Sequence, residues 1–321
     1  MSFELILPFL RPIEPLLLDD SISEIMGNPD ASWWYERNGI LRREESVSFE
    51  AGPLRTGLEV IANQLGKRLD EDNPVLHAQL PDGSRLAAVI PPVVRPAPAL
   101  TIRKFTSKRY TVDDLIARGT LTRELADYLG EQISNGKTLL ISGGTGTGKT
   151  TLLNILAQAI PEDERIVVIE DTSELRIQKP NVLAVECQTD TFKARISFDD
   201  LLKSALRWRP DRIILGEVRG IEARTLLDSF NTGHAGSLAT IHANSAEKAL
   251  HRFANLVMRN HAQATFSDVE AEIGGSVDLV VHIERGPGGR TIREVLRMIG
   301  YDRNTRRFLY EPIFEVEHAT A

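Results

Sequence analysis

The stretch "GGTGTGKT" at residues 143–150 constrains this chain more than any other feature. It fits G-x-x-x-x-G-K-[ST], with Gly143, Gly148, Lys149 and Thr150 in the fixed places. "KTLLIS" (137–142) precedes it as a buried-strand run. "KTTLLNILAQAI" (149–160) follows as a helix with Leu152, Ile155, Leu156 and Ala159 along one face. A strand, a glycine turn and a helix in that order make a phosphate cradle. Glycines let the backbone curl so that several N–H groups point inward, and the helix N-terminus adds partial positive charge. The expected nucleotide-binding residues are therefore Gly143, Gly144, Thr145, Gly146, Thr147, Gly148, Lys149, Thr150 and Thr151. Lys149 is expected to reach the β- and γ-phosphates, and the Thr150 hydroxyl to hold Mg²⁺. No N-K-x-D guanine-reading motif appears downstream, which favours ATP over GTP.

Around this turn the pattern alternates between strand and helix. "RIVVIE" (165–170), "RIILGE" (212–217) and "SLATIH" (237–242) read as strands. "SFDDLLKSALR" (197–207), opened by a Ser N-cap, and "IEARTLLDSFN" (221–231) read as helices. Such alternation implies a parallel sheet covered on both faces. The first third differs. It carries hairpin signals at Asn38-Gly39 and at Pro81-Asp82-Gly83-Ser84, a helical stretch at 53–69 with Leu58, Ile61, Ala62 and Leu65, and a strand candidate at 99–105. The 321 residues suit two domains. The expected division is an α+β domain at 1–105, a connection at 106–120 holding a short helix over "TVDDLIARG", and an α/β P-loop domain at 121–321.

Composition sets outer bounds. With 42% apolar and 26% charged residues, the chain reads as soluble and globular. Its net charge of −7 argues against a nucleic-acid binder, which carries a basic footprint. Cys187 is the sole cysteine, which excludes an intrachain disulfide and a cysteine-rich zinc module. The apolar stretches are short and broken by Pro or charge, so no membrane span is expected. Glu4, Pro8 and Arg11 make the N-terminus a poor signal peptide; a strand or helix of the first domain is expected there, with an interfacial segment as the alternative.

Hydrolysis needs a carboxylate near the γ-phosphate, and strand ends are where one can be delivered. "RPDRIILGEVRG" (209–220) ends an apolar strand in Gly216-Glu217, so Glu217 is the candidate to orient or deprotonate the attacking water. "VVIEDTSELRI" (167–177) brings Glu170, Asp171 and Glu174 to the same edge. Glu174 would touch either Mg²⁺ or the lytic water; Glu170 and Asp171 would do so or else cap the next segment or pair with arginine. His242 closes the strand of "TGHAGSLATIHANS" (232–245) on that edge too, either as a phosphate sensor or as a core histidine. His234 falls at the opposite end, shaping a turn or a subunit contact. The spacing of the two histidines lacks the H-E-x-x-H pattern and no third ligand is evident, which speaks against zinc.

Taken together, "GGTGTGKT", "IEDTSEL", "RPDRIILGEVRG" and "TGHAGSLATIHANS" resemble, in that order, the Walker A, Asp-box, Walker B and His-box motifs of the secretion and traffic ATPases of type II and type IV secretion systems and type IV pili. "PDGSRLAAVIPPV…ALTIRKF" is similar to the conjugation branch of that family. The resemblance implies a RecA-like P-loop motor domain behind a smaller α+β N-terminal domain, a homo-hexameric ring, and nucleotide between the two domains. It implies that Lys149 and Thr150 bind phosphate and Mg²⁺, that Glu217 is the catalytic acid assisted by Glu174, and that His242 lies near the γ-phosphate. Arg85 and Arg103 match arginines that reach the phosphates. Arg219 would pair with an Asp-box acid or reach a neighbouring subunit. The implied role is an ATP-hydrolysing motor on the cytoplasmic face of the inner membrane, touching other components of the secretion apparatus and powering pilus assembly or DNA or protein transfer without sequence-specific nucleic-acid binding. The rival readings are a RecA-like DNA translocase or helicase and a non-hydrolysing, nucleotide-gated scaffold.

Overall fold

The computed structural model describes residues 6–37, 39–105, 110–188, 195–259, 264–286 and 288–316. The chain divides into two compact units, Met1–Arg109 and Tyr110–Ala321. Among the described residues no helix is long and apolar enough to cross a membrane.

The first unit opens with a 3₁₀ helix, Leu7–Ile13, and the short helix α1 (Glu14–Leu18). The strands β1 (Ile22–Gly27), β2 (Trp33–Arg37) and β3 (Ile40–Glu44) follow, then the helix α2 (Ala51–Gln64), then β4 (Val75–Gln79), β5 (Arg85–Val89) and β6 (Ala99–Arg103). They form a six-stranded sheet in the order β3-β2-β1-β6-β5-β4, with every neighbouring pair antiparallel. Both expected hairpins are present. Gly39 (φ 80°) turns β2 into β3, with Asn38 outside the described residues, and Gly83 (φ 90°) turns β4 into β5. The helix expected at 53–69 runs from 51 to 64. Side chains alternate across a strand, so Leu86, Ala88 and Ile102 pack with Ile25, Trp33, Leu58 and Ile61 in one core. The same alternation puts Arg85 and Arg103 together on the other face, directly opposite each other in register. Glu24 of β1 is the next partner of Arg103 along that row.

The second unit begins with α3 (Val112–Ala117), the short helix read as part of the connection. Its Leu115 packs in this unit's core. Then come α4 (Arg123–Ser134), β7 (Leu139–Gly143), α5 (Lys149–Leu156), β8 (Ile166–Glu170), β9 (Val182–Glu186), α6 (Phe198–Ala205), β10 (Arg212–Val218), α7 (Glu222–Asn231), β11 (Leu238–His242), α8 (Ala246–Met258) and α9 (Phe266–Ser276). The strands β12 (Leu279–Gly286), β13 (Gly289–Asp302) and β14 (Arg307–Glu315) close it. The sheet order is β14-β13-β12-β7-β11-β10-β8-β9. From β12 to β9 the strands run parallel, as the β-α alternation implied; β13 and β14 add an antiparallel edge.

Coverage on both faces is visible residue by residue. Val167 and Ile169 of β8 pack with Leu202, Leu226 and Phe253, whereas Ile166 and Val168 pack with Leu129, Leu152 and Leu156. Each such side chain removed from water contributes about 1.5–3 kcal/mol. Ser197 caps α6 as expected, and its capping box with Asp200 fixes where that helix starts.

At the amino-terminal edge of the sheet, Arg212 is 3% exposed and bound to Glu164, with Nη2 2.9 Å from Oε1. Its Nη1 donates to the Gly236 carbonyl at 3.0 Å, and a Cβ on Gly236 would meet that nitrogen at 1.6 Å.

Candidate nucleotide site at the carboxyl edge of the parallel sheet

The turn from β7 into α5 is built around its glycines. Gly146 (φ 71°) and Gly148 (φ 95°) adopt left-handed backbone that other residues rarely enter. Gly143 is required for another reason. A Cβ there would lie 2.4 Å from the Ile283 carbonyl oxygen and 2.7 Å from Thr147 Oγ1. Thr147 donates to the Gly144 carbonyl at 3.0 Å, and Arg290 Nε donates to the Gly146 carbonyl at 3.2 Å. Gly144 and the exposed Thr145 and Gly146 form the rim, while Thr150 and Thr151 sit half-buried in the first turn of α5. Gly148 as N-cap leaves that turn without a side-chain cap, so backbone N–H groups stay available to an anion.

Lys149 is only 8% exposed, and its ammonium is folded into the turn. It donates to the carbonyls of Gly143 (3.1 Å) and Gly144 (2.8 Å). A glycine cradle, an uncapped helix start and a sequestered lysine fit a polyphosphate, and hydroxyl and carboxylate oxygens such as those of Thr150 and Glu174 are of the kind Mg²⁺ takes.

Topology brings the remaining groups here. β11 lies between β7 and β10, with His242 in register with Gly143 and Ile241 with Val218. His242 Nδ1 lies 3.4 Å from Lys149 Nζ, and its Nε2 lies 3.0 Å from Glu217 Oε1. An ammonium can only donate, so Nδ1 accepts and the ring proton sits on Nε2, which donates it to Glu217. Burial, followed by the charge of Lys149, lowers the His242 pKa below its ordinary 6.5, with Glu217 opposing. The ring is therefore neutral at pH 7.

The other Glu217 oxygen is also engaged. Arg219 Nη2 donates to Oε2 at 2.8 Å, and Nη1 reaches Asp171 Oδ2 at 3.3 Å. Of the two partners expected for Arg219, an Asp-box acid is thus the one this chain provides. Glu170, 4% exposed, accepts the backbone N–H groups of Glu174 (3.0 Å) and Leu175 (3.1 Å). Burial raises its pKa to about 7. Of the alternatives open to it, Glu170 therefore caps the following segment. Gly216 makes room for it, since a Cβ there would meet Glu170 Cγ at 3.2 Å.

His234 lies in the turn ahead of β11, away from this edge, where Ser237 Oγ donates to its carbonyl at 2.7 Å. Arg85 and Arg103 belong to the first unit, paired on the sheet face opposite its core. Three contributors escaped the sequence reading. His282 is buried on β12, with Nδ1 2.9 Å from Ser142 Oγ and Nε2 3.2 Å from Glu284 Oε1. Arg290 braces the cradle from β13, and Asn154 of α5 binds the backbone of Arg176. A histidine inside the apolar run "VVHI" is a visible signal; the other two carry none.

Comparison with known proteins agrees with this architecture. The family described as "Type II/IV secretion system protein" matches residues 10–287. The conjugal transfer protein TrbB of Rhizobium radiobacter is 38% identical over 296 residues, covering 89% of this chain and 87% of that one. The type IV secretion system protein PtlH of Bordetella pertussis is 34% identical over 314 residues, covering 89% and 92%. In fold, the chain is similar to the ATPase DotB of Legionella pneumophila, with a TM-score of 0.64 at 18% identity and coverage of 93% and 82%. The expected RecA-like P-loop domain, preceded in sequence by a smaller α+β domain, is therefore present. With a matching model over most of its length and relatives above 30% identity over 89% of the chain, the chain belongs to the type II/IV secretion system protein family.

Proposed function

We propose that this protein is an ATP-hydrolysing motor of a type IV secretion or conjugal transfer system, working as a homo-hexamer at the cytoplasmic face of the inner membrane. The observation that carries the reading is the continuous chain from the cradle carbonyls through Lys149 and His242 to Glu217. It joins the group that would sense phosphate to the group that would take a proton from water. The names of the relatives, a conjugal transfer protein and a type IV secretion protein, support the cellular setting.

In the proposed cycle Lys149 turns from the Gly143 and Gly144 carbonyls to the β- and γ-phosphates of ATP. His242, no longer facing the ammonium, turns its neutral ring toward the γ-phosphate and releases Glu217 Oε1. Glu217 accepts a proton from the attacking water; the new P–O bond forms as the bond to ADP breaks. Thr150 and Glu174 would hold Mg²⁺, which when bound neutralises phosphate charge. Arg85 and Arg103, neighbours on one sheet face, are proposed to reach the phosphates and let go after hydrolysis, so that the N-terminal unit swings.

The test is phosphate release by the purified protein with Mg-ATP, with and without DNA, alongside its solution mass. Turnover independent of DNA, abolished by Lys149→Ala, and a mass of six chains are expected. No binding of adenine nucleotide would overturn the reading, and turnover that requires DNA would favour the translocase. Arg85→Ala and Arg103→Ala that bind and hydrolyse normally would remove the swing.

A further inference from the structure

The segment after β8 has no regular structure from Asp171 to Asn181, yet it carries Glu174. Its backbone N–H groups are held one after another by side-chain acceptors. Ser173 N donates to Glu186 of β9 at 2.8 Å. Glu174 and Leu175 donate to Glu170 of β8. Arg176 N donates to Asn154 Oδ1 of α5 at 2.8 Å, and Gln178 N to Gln158 Oε1 at 3.3 Å, in the 3₁₀ turn Ala157–Ala159 that continues α5.

The last two contacts reach neighbouring turns of one helical stretch. Asn154 and Gln158 are four residues apart on one face of a helical stretch, about 6 Å along its axis. Arg176 and Gln178 are two residues apart, and both present their N–H groups to these amides. The segment is therefore tied by two rungs to α5 and the 3₁₀ turn that continues it. α5 is also the helix whose first turn presents Lys149 and Thr150, and Asn154 stands one turn beyond Thr150.

We infer that Asn154 and Gln158 are positioning residues. They tie the Glu174 segment to the phosphate-binding helix, so that Glu174 and Thr150 move as one unit toward the metal–nucleotide complex. Glu170 fixes the same segment from the sheet side, against Gly216 and so beside Glu217. The inference rests on the ATPase reading and assigns it residues that no motif marks.

The experiment measures ATP turnover by the full chain as a function of ATP and of Mg²⁺, with thermal unfolding recorded for each variant. Asn154→Ala is expected to lower kcat by about tenfold or more, since misplacing a catalytic group by an ångström costs up to about a hundredfold. The KM for ATP should stay within about twofold, and half-activation should need more Mg²⁺. Asn154→Asp, which keeps Oδ1, should restore most of the loss. Gln158→Ala, at the longer rung, should show the same pattern more weakly and serves as the independent test should Asn154→Ala unfold. Unchanged kcat in both alanine variants, a rise in KM alone, or failure of Asn154→Asp to recover activity would overturn the positioning role. Absence of turnover in the wild-type protein would instead remove the ATPase reading itself.

Discussion

Nε2 of His242 lies 3.0 Å from Oε1 of Glu217, while Nδ1 of the same ring faces the Lys149 ammonium at 3.4 Å. One neutral imidazole thus spans the cradle and the strand-end acid. Glu217→Gln should leave nucleotide binding within about twofold and lower turnover by a hundredfold or more, as loss of a general base does. Binding by fluorescent-nucleotide titration and phosphate release on the same preparation check it. A variant that turns over at the wild-type rate would move the base elsewhere.

Protonating His242 would remove its Nδ1 acceptor and set two cations against each other. Its pKa is lowered in the folded protein, so its contribution to stability is intact above 6.5 and is lost as pH falls through the lower folded value. Turnover should therefore decline on the acid side of the ordinary imidazole range. The same limb should be absent from the residual activity of His242→Gln, and a pH–rate profile of both proteins decides it.

Arg219 joins Glu217 to Asp171, two carboxylates on different strand ends. Lysine supplies a compact charge on a flexible stem and cannot bridge both. Arg219→Lys and Arg219→Ala should each lower kcat by about tenfold, with ATP affinity little changed. Equal kcat for Arg219→Lys and wild type would mean that charge alone suffices.

At Gly143 the obstruction to a side chain is backbone, the Ile283 carbonyl, so relaxation must move β12 against β7. Gly143→Ala should cost about 2 kcal/mol or more in stability and abolish nucleotide binding. Gly275, helical and with nothing within 4 Å of an added Cβ, is the contrast. Gly275→Ala should be neutral or stabilise by about half a kcal/mol. Denaturant melts of the two variants test the pair.

Cys187 is half-buried, and burial, with Asp171 and Glu222 adding to it, pushes its thiol up to about 12. At pH 8 the folded protein should therefore alkylate about a thousandfold more slowly than the unfolded chain, because the thiolate is the nucleophile. Stability linked to this thiol is intact below the ordinary thiol range and falls as pH rises toward 12. Rapid labelling of the native protein at pH 8 would contradict the burial.

Much of the site was legible because phosphate chemistry leaves marks in sequence. The glycines of 143–148, the apolar run before Glu217 and the strand ending at His242 each announce a local conformation, and parallel topology then places their ends along one edge. The antiparallel edge was not legible. β13 and β14 are partly exposed and follow a "GPGG" hairpin signal downstream of the βα alternation. β9 is an edge strand with mixed burial. Asn154 and Gln158 were invisible for a different reason. An amide binding a backbone N–H looks, in sequence, like any polar residue on a helix surface, and only the partner's path reveals the contact.

The guanidinium of Arg212 fills the space above Gly236 that a side chain would need. The arginine at 212 therefore depends on glycine at 236. Gly236 is held independently by its left-handed backbone (φ 81°) and by the Gly136 carbonyl carbon 2.9 Å from an added Cβ, so a relative that shortens position 212 should still keep glycine at 236. Arginine at 212 should accordingly be found only with glycine at 236, while glycine at 236 should outlast loss of the arginine, although the two stand 24 residues apart.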